Sequence, residues 1–157
     1  MPWYDFIKSS IDLVSELIPF LSEKAKNSGK QKKLVIRELR DNLNTLRNGY
    51  KHKLAADVIV DTLSNLAYRN ALEDNFDFNK IRRGELQAFE INDKRNMRYL
   101  GWTMERLLDK IDEKVEELKQ LKKMSGSLEK LEGANISLML SNLYFRMKLA
   151  AEFMRSE

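Results

Sequence analysis

The sequence contains no cysteine and only one histidine among its 157 residues. The lack of cysteine excludes disulfides, thiol nucleophiles and thiolate metal ligands. A zinc site is disfavoured as well, because a single histidine leaves mainly carboxylates, which prefer harder metals. We therefore expect neither a metal nor another cofactor. A chain without disulfides is also typical of a cytoplasmic protein.

Long uncharged hydrophobic runs are absent too. The apolar stretch near the start, residues 3–21, is interrupted at helical spacing by Asp5, Lys8, Asp12 and Glu16. No stretch reaches the roughly 20 apolar residues that span a bilayer, and the start lacks the charge pattern of a signal peptide. We expect an amphipathic helix that packs on the core. Docking to a partner or a membrane surface is the alternative, although an acidic polar face suits anionic lipid poorly.

Proline and glycine are scarce, with two and six residues, so helices are rarely interrupted. Apolar residues recur about every 3.6 positions almost throughout, and hardly any segment alternates with a period of two. The predicted fold is all-α, an up-and-down bundle of four long helices plus one or two shorter helices. With 43% apolar and 33% charged residues, we assign residues 1–157 to a single helical-bundle domain.

The same periodicity predicts where the helices lie. The expected ranges are residues 2–24, a helix that starts near residue 30, and residues 53–72, 80–90, 94–124 and 135–155. The second helix either breaks at Gly49 or continues, because its apolar seam reaches Tyr50. The last two helices have matching seams and should pack antiparallel. The Glu- and Lys-rich flanks of the fifth also suit an intermolecular coiled coil, so a homodimer is one expectation.

The net charge of +4 conceals a strong asymmetry. Residues 24–53 carry ten basic and two acidic side chains, whereas residues 1–23 carry one basic and four acidic side chains. The rest of the chain is nearly balanced. Such a local positive charge predicts nucleic acid or another anionic partner for residues 24–53. A protein partner is the other expectation, and the sequence does not identify it.

Within that segment, polar side chains repeat every three or four residues and form one row along a helix. This basic row consists of Lys33, Arg37, Arg40, Asn44, Arg47 and Lys51. It lies about 100° around the helix from the apolar seam. Such a row can follow the phosphates of a nucleic acid with salt-dependent affinity. The alternative is a solvated flank whose long side-chain stems cover the rim of the core.

The only histidine, His52, follows the pair Arg47-Asn48 at a spacing that suits phosphate chemistry. Histidine titrates nearest neutral pH among the side chains, and a guanidinium can contact a phosphate in two places. On a helix, Asn48 and His52 share a face, whereas Arg47 and His52 lie about 140° apart. One copy of the helix therefore cannot direct Arg47 and His52 at the same point.

This Arg-Asn-x-x-x-His stretch resembles the R-N-x-x-x-H signature of the HEPN superfamily, small all-α bundles common in toxin–antitoxin and antiviral systems. The resemblance implies a metal-independent ribonuclease or an inactive RNA-binding relative. Arg47 would then contact the scissile phosphate, and Asn48 would orient the histidine. His52 would transfer the proton as the RNA 2′-hydroxyl attacks. The resemblance also implies a homodimer, because the family joins two motifs in a dimer cleft.

Other catalytic patterns are weaker. The Ser-x-x-Lys match at residues 127–130 falls in a predicted linker and indicates a helix start, and the small basic cluster of Lys80, Arg82 and Arg83 is expected at the surface. No glycine-rich phosphate loop or zinc-protease motif occurs. The leading hypothesis is a soluble, non-enzymatic helical interaction protein with a basic flank. The alternatives are a HEPN-like ribonuclease and a non-catalytic nucleic-acid-binding accessory protein.

Overall fold

The computed structural model describes residues 2–131 and 135–157, and these residues form an all-α fold. Four of the six α-helices described are long and two are short, which confirms the predicted fold class. They are α1 (Ile11–Lys26), α2 (Lys30–His52), α3 (Ala56–Thr62), α4 (Leu66–Glu73), α5 (Met104–Ser125) and α6 (Ile136–Arg155).

Helix α6 forms the centre of the bundle. Residues 143–154 are buried without interruption, and α1, α2, α3 and α5 all pack against this helix. A helix whose side chains are buried on every side requires such a central position. Neither α6 nor any other helix in the described part of the chain combines the length and apolarity needed to cross a membrane.

Three charged side chains of α6 are buried, and each has a partner. Lys148 Nζ lies 2.7 Å from Glu152 Oε1, one turn along the helix. Arg146 Nε donates a hydrogen bond to the Tyr99 hydroxyl at 2.5 Å. These partners matter because an isolated buried charge is strongly unfavourable.

The first predicted helix begins later than its apolar pattern suggested. Residues 3–10 form two short 3₁₀ turns, and the α-helix starts at Ile11. The indole of Trp3 is buried, and its Nε1 donates a hydrogen bond to the Leu54 carbonyl at 2.9 Å. This long-range contact holds the start of the chain against the end of α2. A prediction from periodicity has no access to such a contact.

Helix α2 runs without a break through Gly49, which decides between the two alternatives left open by the sequence. Gly49 is buried, and the side chains of Trp3 and Ile59 pack directly against its backbone. Glycine is needed here for close approach and not for a turn. The continuous helix keeps the whole basic row on one element.

The predicted helix over residues 53–72 is wrong, because the chain divides into α3 and α4 at residues 63–65. The side chain of Asn42 on α2 holds this break. Its Nδ2 donates to the Ser64 carbonyl at 2.8 Å, and its Oδ1 accepts from the Ser64 N–H at 3.0 Å. Val58 on α3 and Leu66 at the start of α4 are both exposed.

The prediction for residues 80–90, and for the first ten residues of the next helix, is also wrong. This part of the chain contains a loop, residues 86–101, that is closed at its base by two backbone hydrogen bonds. Leu86 N donates to the Trp102 carbonyl, and Gly101 N donates to the Leu86 carbonyl, both at 2.9 Å. Helix α5 begins only at Met104 because Gly101 has a positive φ of 83° and Thr103 caps the helix through its side chain.

Loop 86–101 is anchored by the buried carboxylate of Glu90. Burial alone would raise the pKa of Glu90, but hydrogen bonds from the Ser156 hydroxyl and the Gln87 N–H, together with the nearby Arg82 guanidinium, hold it below its usual range. Arg82 Nη2 lies 2.6 Å from Glu90 Oε2. Glu90 therefore stays ionised near neutral pH and ties the loop to the end of α6.

Candidate nucleic-acid interface on helix α2

The basic row lies along one side of α2, as helix geometry requires. Arg37 and Lys51 are exposed, and the other four members are partly exposed. Since an α-helix rises about 1.5 Å per residue, the row from Lys33 to Lys51 is about 27 Å long. All six residues predicted for nucleic-acid binding thus lie on one uninterrupted helix at the protein surface.

Three members of the row, Arg40, Asn44 and Arg47, are engaged by side chains of the protein itself. Arg40 Nη2 lies 2.9 Å from Asp41 Oδ1, and Arg40 Nη1 lies 3.4 Å from Ser22 Oγ on α1. Arg47 Nη2 donates a hydrogen bond to Asn44 Oδ1 at 2.7 Å. The charge of Arg40 is therefore partly neutralised. The charge of Arg47 is not, because an amide carries no charge.

Apart from Arg40, the cations of the row have no acidic partner among the described residues. In the described part of the chain, no carboxylate lies within ion-pair distance of Lys33, Arg37, Arg47 or Lys51. Many other surface cations are paired, for example Lys110 with Glu113. Among the described residues, cations without an acidic partner also occur elsewhere, such as Lys94 and Arg98, but on α2 four of them lie in one row.

Glu38 is one of the two acidic residues within residues 24–53, and the structure uses it to hold α4. Its carboxylate accepts hydrogen bonds from the backbone N–H groups of Ala67 at 2.7 Å and Tyr68 at 3.1 Å. A carboxylate is stabilised at a helix N-terminus by the helix dipole. No local sequence pattern indicates this role, because α4 lies about thirty residues away. Glu38 is thus committed to α4 and does not pair with the row.

The motif residues lie in the last two turns of α2. Asn48 and His52 are exposed, and neither side chain makes a hydrogen bond within the described residues. Arg47 is partly buried and points elsewhere around the helix, as the 140° separation from His52 requires. The helix ends after His52 because Lys53 adopts a left-handed conformation with φ 52°. One protomer does not bring Arg47 and His52 together.

A recess of about 740 Å³ opens next to this end of α2. The N-terminal turn, the α2–α3 connection and the region between α5 and α6 contribute to its lining, including Trp3, Lys53, Leu54, Leu128 and Ile136. Sequence reasoning missed this feature, because the lining residues come from segments that no local pattern links. Its mixed polar and apolar lining does not single out a ligand.

Among the described residues, no three histidine, aspartate or glutamate side chains cluster as metal ligands would. Comparisons with protein-family models, with curated proteins and with solved structures found no match. The interpretation of this surface therefore depends on its own geometry and charge.

Proposed function

We propose that this protein binds nucleic acid, with RNA as the expected cytoplasmic partner, along the basic row of α2. The observation that carries the proposal is the alignment on one helix of four cations that have no acidic partner among the described residues: Lys33, Arg37, Arg47 and Lys51. Cations held without carboxylate neighbours on a straight surface attract a polyanion and release its counterions on binding.

The shape of the row favours the backbone of a duplex over a single strand. A straight row of about 27 Å can contact several phosphates, since each strand of B-form DNA carries one phosphate per roughly 3.4 Å of helix axis. Proteins that hold single strands stack successive bases on aromatic rings. Within α2, only Tyr50 supplies a ring, and it is partly buried. We therefore expect backbone contacts with little sequence preference.

The test is RNA binding by a variant that removes two exposed cations of the row. We expect Arg37→Gln/Lys51→Gln to weaken binding of a fluorescent RNA duplex by about tenfold at low salt. The slope of log affinity against log salt should fall by about 2, because two phosphate contacts are lost. Fluorescence anisotropy across a salt series measures both quantities.

A matched control removes the same charge elsewhere. Lys123 and Lys130 are exposed and lie outside the row, so Lys123→Gln/Lys130→Gln should bind RNA almost as the wild type does. Equal losses in the two double variants would show that only net charge matters. That result, or no salt-dependent binding by the wild type, would refute the proposal.

A HEPN-like ribonuclease is the second candidate function, and one observation supports it. Asn48 and His52 are both exposed, share a face of α2 and have no competing partner among the described residues. Since Arg47 lies on another face, catalysis would require a homodimer in which a second copy completes the cleft. A homodimer is therefore part of this second proposal, and the inactive, RNA-binding relative is its non-catalytic form.

For this candidate we expect wild-type protein to cleave cellular RNA at low salt in the presence of EDTA, and His52→Ala to leave the RNA intact. The loss should be close to complete, since His52 is the only histidine and the proposed proton-transfer group. Gel electrophoresis of the products measures cleavage, and sedimentation analysis measures the dimer. Intact RNA with both proteins would reject the nuclease and leave the binding proposal in place.

A further inference from the structure

Loop 86–101 has an inner side that packs on α6 through polar and aromatic contacts. The guanidinium of Arg95 lies 3.9 Å from the ring centroid of Phe145. Asn92 Nδ2 donates to Glu152 Oε2 at 3.4 Å, and the hydroxyl of the buried Tyr99 accepts from α6 as described above. These contacts fix which side of the loop faces the bundle.

The loop exposes three large apolar side chains. Phe89 is 83% exposed, and Met97 and Leu100 are 43% and 49% exposed. Residues 94–99 form a 3₁₀ helix, in which residues three apart eclipse one another, so Lys94, Met97 and Leu100 follow one another along one side. Several exposed apolar side chains on one short loop indicate an interaction surface.

The exposed cations of the loop are in excess, because both acidic residues of the loop are engaged. Glu90 is buried with Arg82, and Asp93 lies 3.0 Å from the guanidinium of Arg95. Lys94 and Arg98 are exposed and have no carboxylate partner in the part of the chain that the structure describes. Lys94 lies on the side of Met97 and Leu100, whereas Arg98 lies one position further round the helix, with its guanidinium 5.0 Å from the Tyr99 ring centroid. An occupant of this surface must therefore complement both apolar side chains and uncompensated cations.

We propose that loop 86–101 docks on an anionic phospholipid surface, with Phe89, Met97 and Leu100 entering the interface and Lys94 and Arg98 contacting lipid phosphates. Apolar side chains and cations act together in this way at the surface of anionic bilayers. The closed base of the loop keeps its backbone hydrogen-bonded within the protein, so docking requires no unfolding. This surface is separate from the basic row of α2.

Two features favour lipid over nucleic acid for this loop. Met97 and Leu100 are aliphatic and offer no ring on which a base could stack, and Phe89 is the single exposed aromatic side chain of the group. In contrast, a lipid interface accepts any apolar side chain, because its affinity scales with the apolar area buried.

The experiment is sedimentation of the full chain with phospholipid vesicles. We expect binding to vesicles that contain phosphatidylglycerol and little binding to pure phosphatidylcholine vesicles. Phe89→Ser should weaken binding by about tenfold or more, since a buried phenylalanine side chain contributes on that scale. Lys94→Gln/Arg98→Gln should also weaken it by about tenfold and reduce its salt dependence.

The matched control for Phe89→Ser is Met124→Ser, because Met124 is 82% exposed at the end of α5 and lies outside the loop. It should bind vesicles as the wild type does, and so should the α2 variant Arg37→Gln/Lys51→Gln. Failure of the wild type to bind anionic vesicles, or equal binding by Phe89→Ser, would overturn the proposal. Loss of RNA affinity in Phe89→Ser without vesicle binding by the wild type would reassign the loop to nucleic acid.

Discussion

Replacing Gly49 with leucine is expected to lower the free energy of unfolding by about 2 to 3 kcal/mol, because the site has no room for a side chain. A Cβ atom at this position would lie 2.4 Å from Ile59 Cδ1 and 2.8 Å from Trp3 Cζ2. The tip of Ile59 can rotate away. The indole of Trp3 is rigid and is held by its hydrogen bond to Leu54, so it must be displaced.

Urea unfolding followed by circular dichroism measures this loss, and the melting temperature should fall by about 5 to 10 °C. Tryptophan emission should shift to the red as Trp3 leaves its buried site. Gly29→Leu is the matched control, since Gly29 precedes α2 and has no neighbouring atom within 4 Å of an added Cβ. It should cost less than about 1 kcal/mol. Equal stability of the Gly49→Leu variant and the wild type would contradict the packing of Trp3 on α2.

Truncating the buried ion pair of α6 should have the larger effect. We expect Glu152→Ala to cost about 3 to 5 kcal/mol, because it leaves the Lys148 ammonium buried without its counter-charge. The two side chains are only 7% and 8% exposed, and their charged atoms lie 2.7 Å apart. The substitution also removes the acceptor that Asn92 uses to attach loop 86–101 to α6.

Two control variants test whether the loss of stability comes from burial of the ion pair or from any change of charge. The double variant Lys148→Met/Glu152→Leu should recover most of the lost stability, because it removes both charges and fills their volume. Glu113→Ala breaks a surface pair with Lys110 and should change stability by less than about 1 kcal/mol. A small loss in Glu152→Ala, measured by urea unfolding, would mean that water reaches Lys148 in solution.

Whether periodicity predicts a helix correctly depends on what stabilises that helix. α2 and α6 lie close to where periodicity placed them, because their apolar seams continue through the whole element. The sequence pattern failed at residues 53–72, where Asn42 divides the helix by hydrogen bonds to Ser64. It failed again at Met97 and Leu100. These residues continue the seam of α5 but lie in a loop whose closure depends on pairing with residue 86.

The candidate interface is likewise predictable from the sequence in one part and decided by tertiary packing in another. The basic row follows from residue spacing and helix geometry alone, since any continuous helix over residues 30–52 places these side chains in line. Whether their charge is free depends on the acidic residues around them. Glu38 is adjacent to Arg37 in sequence, yet its carboxylate is used by the N-terminus of α4. Only the packing of α4 on α2 decides this.

The sequence by itself thus determined the all-α class, four long helices, the local positive charge and the line of cations on α2. These features depend on composition and on periodicity within one helix. The tertiary structure alone decided that Gly49 is a packing site, that α3 and α4 are separate, and that loop 86–101 presents Phe89 outward. Each of these depends on contacts between residues far apart in the chain, where local pattern carries no information.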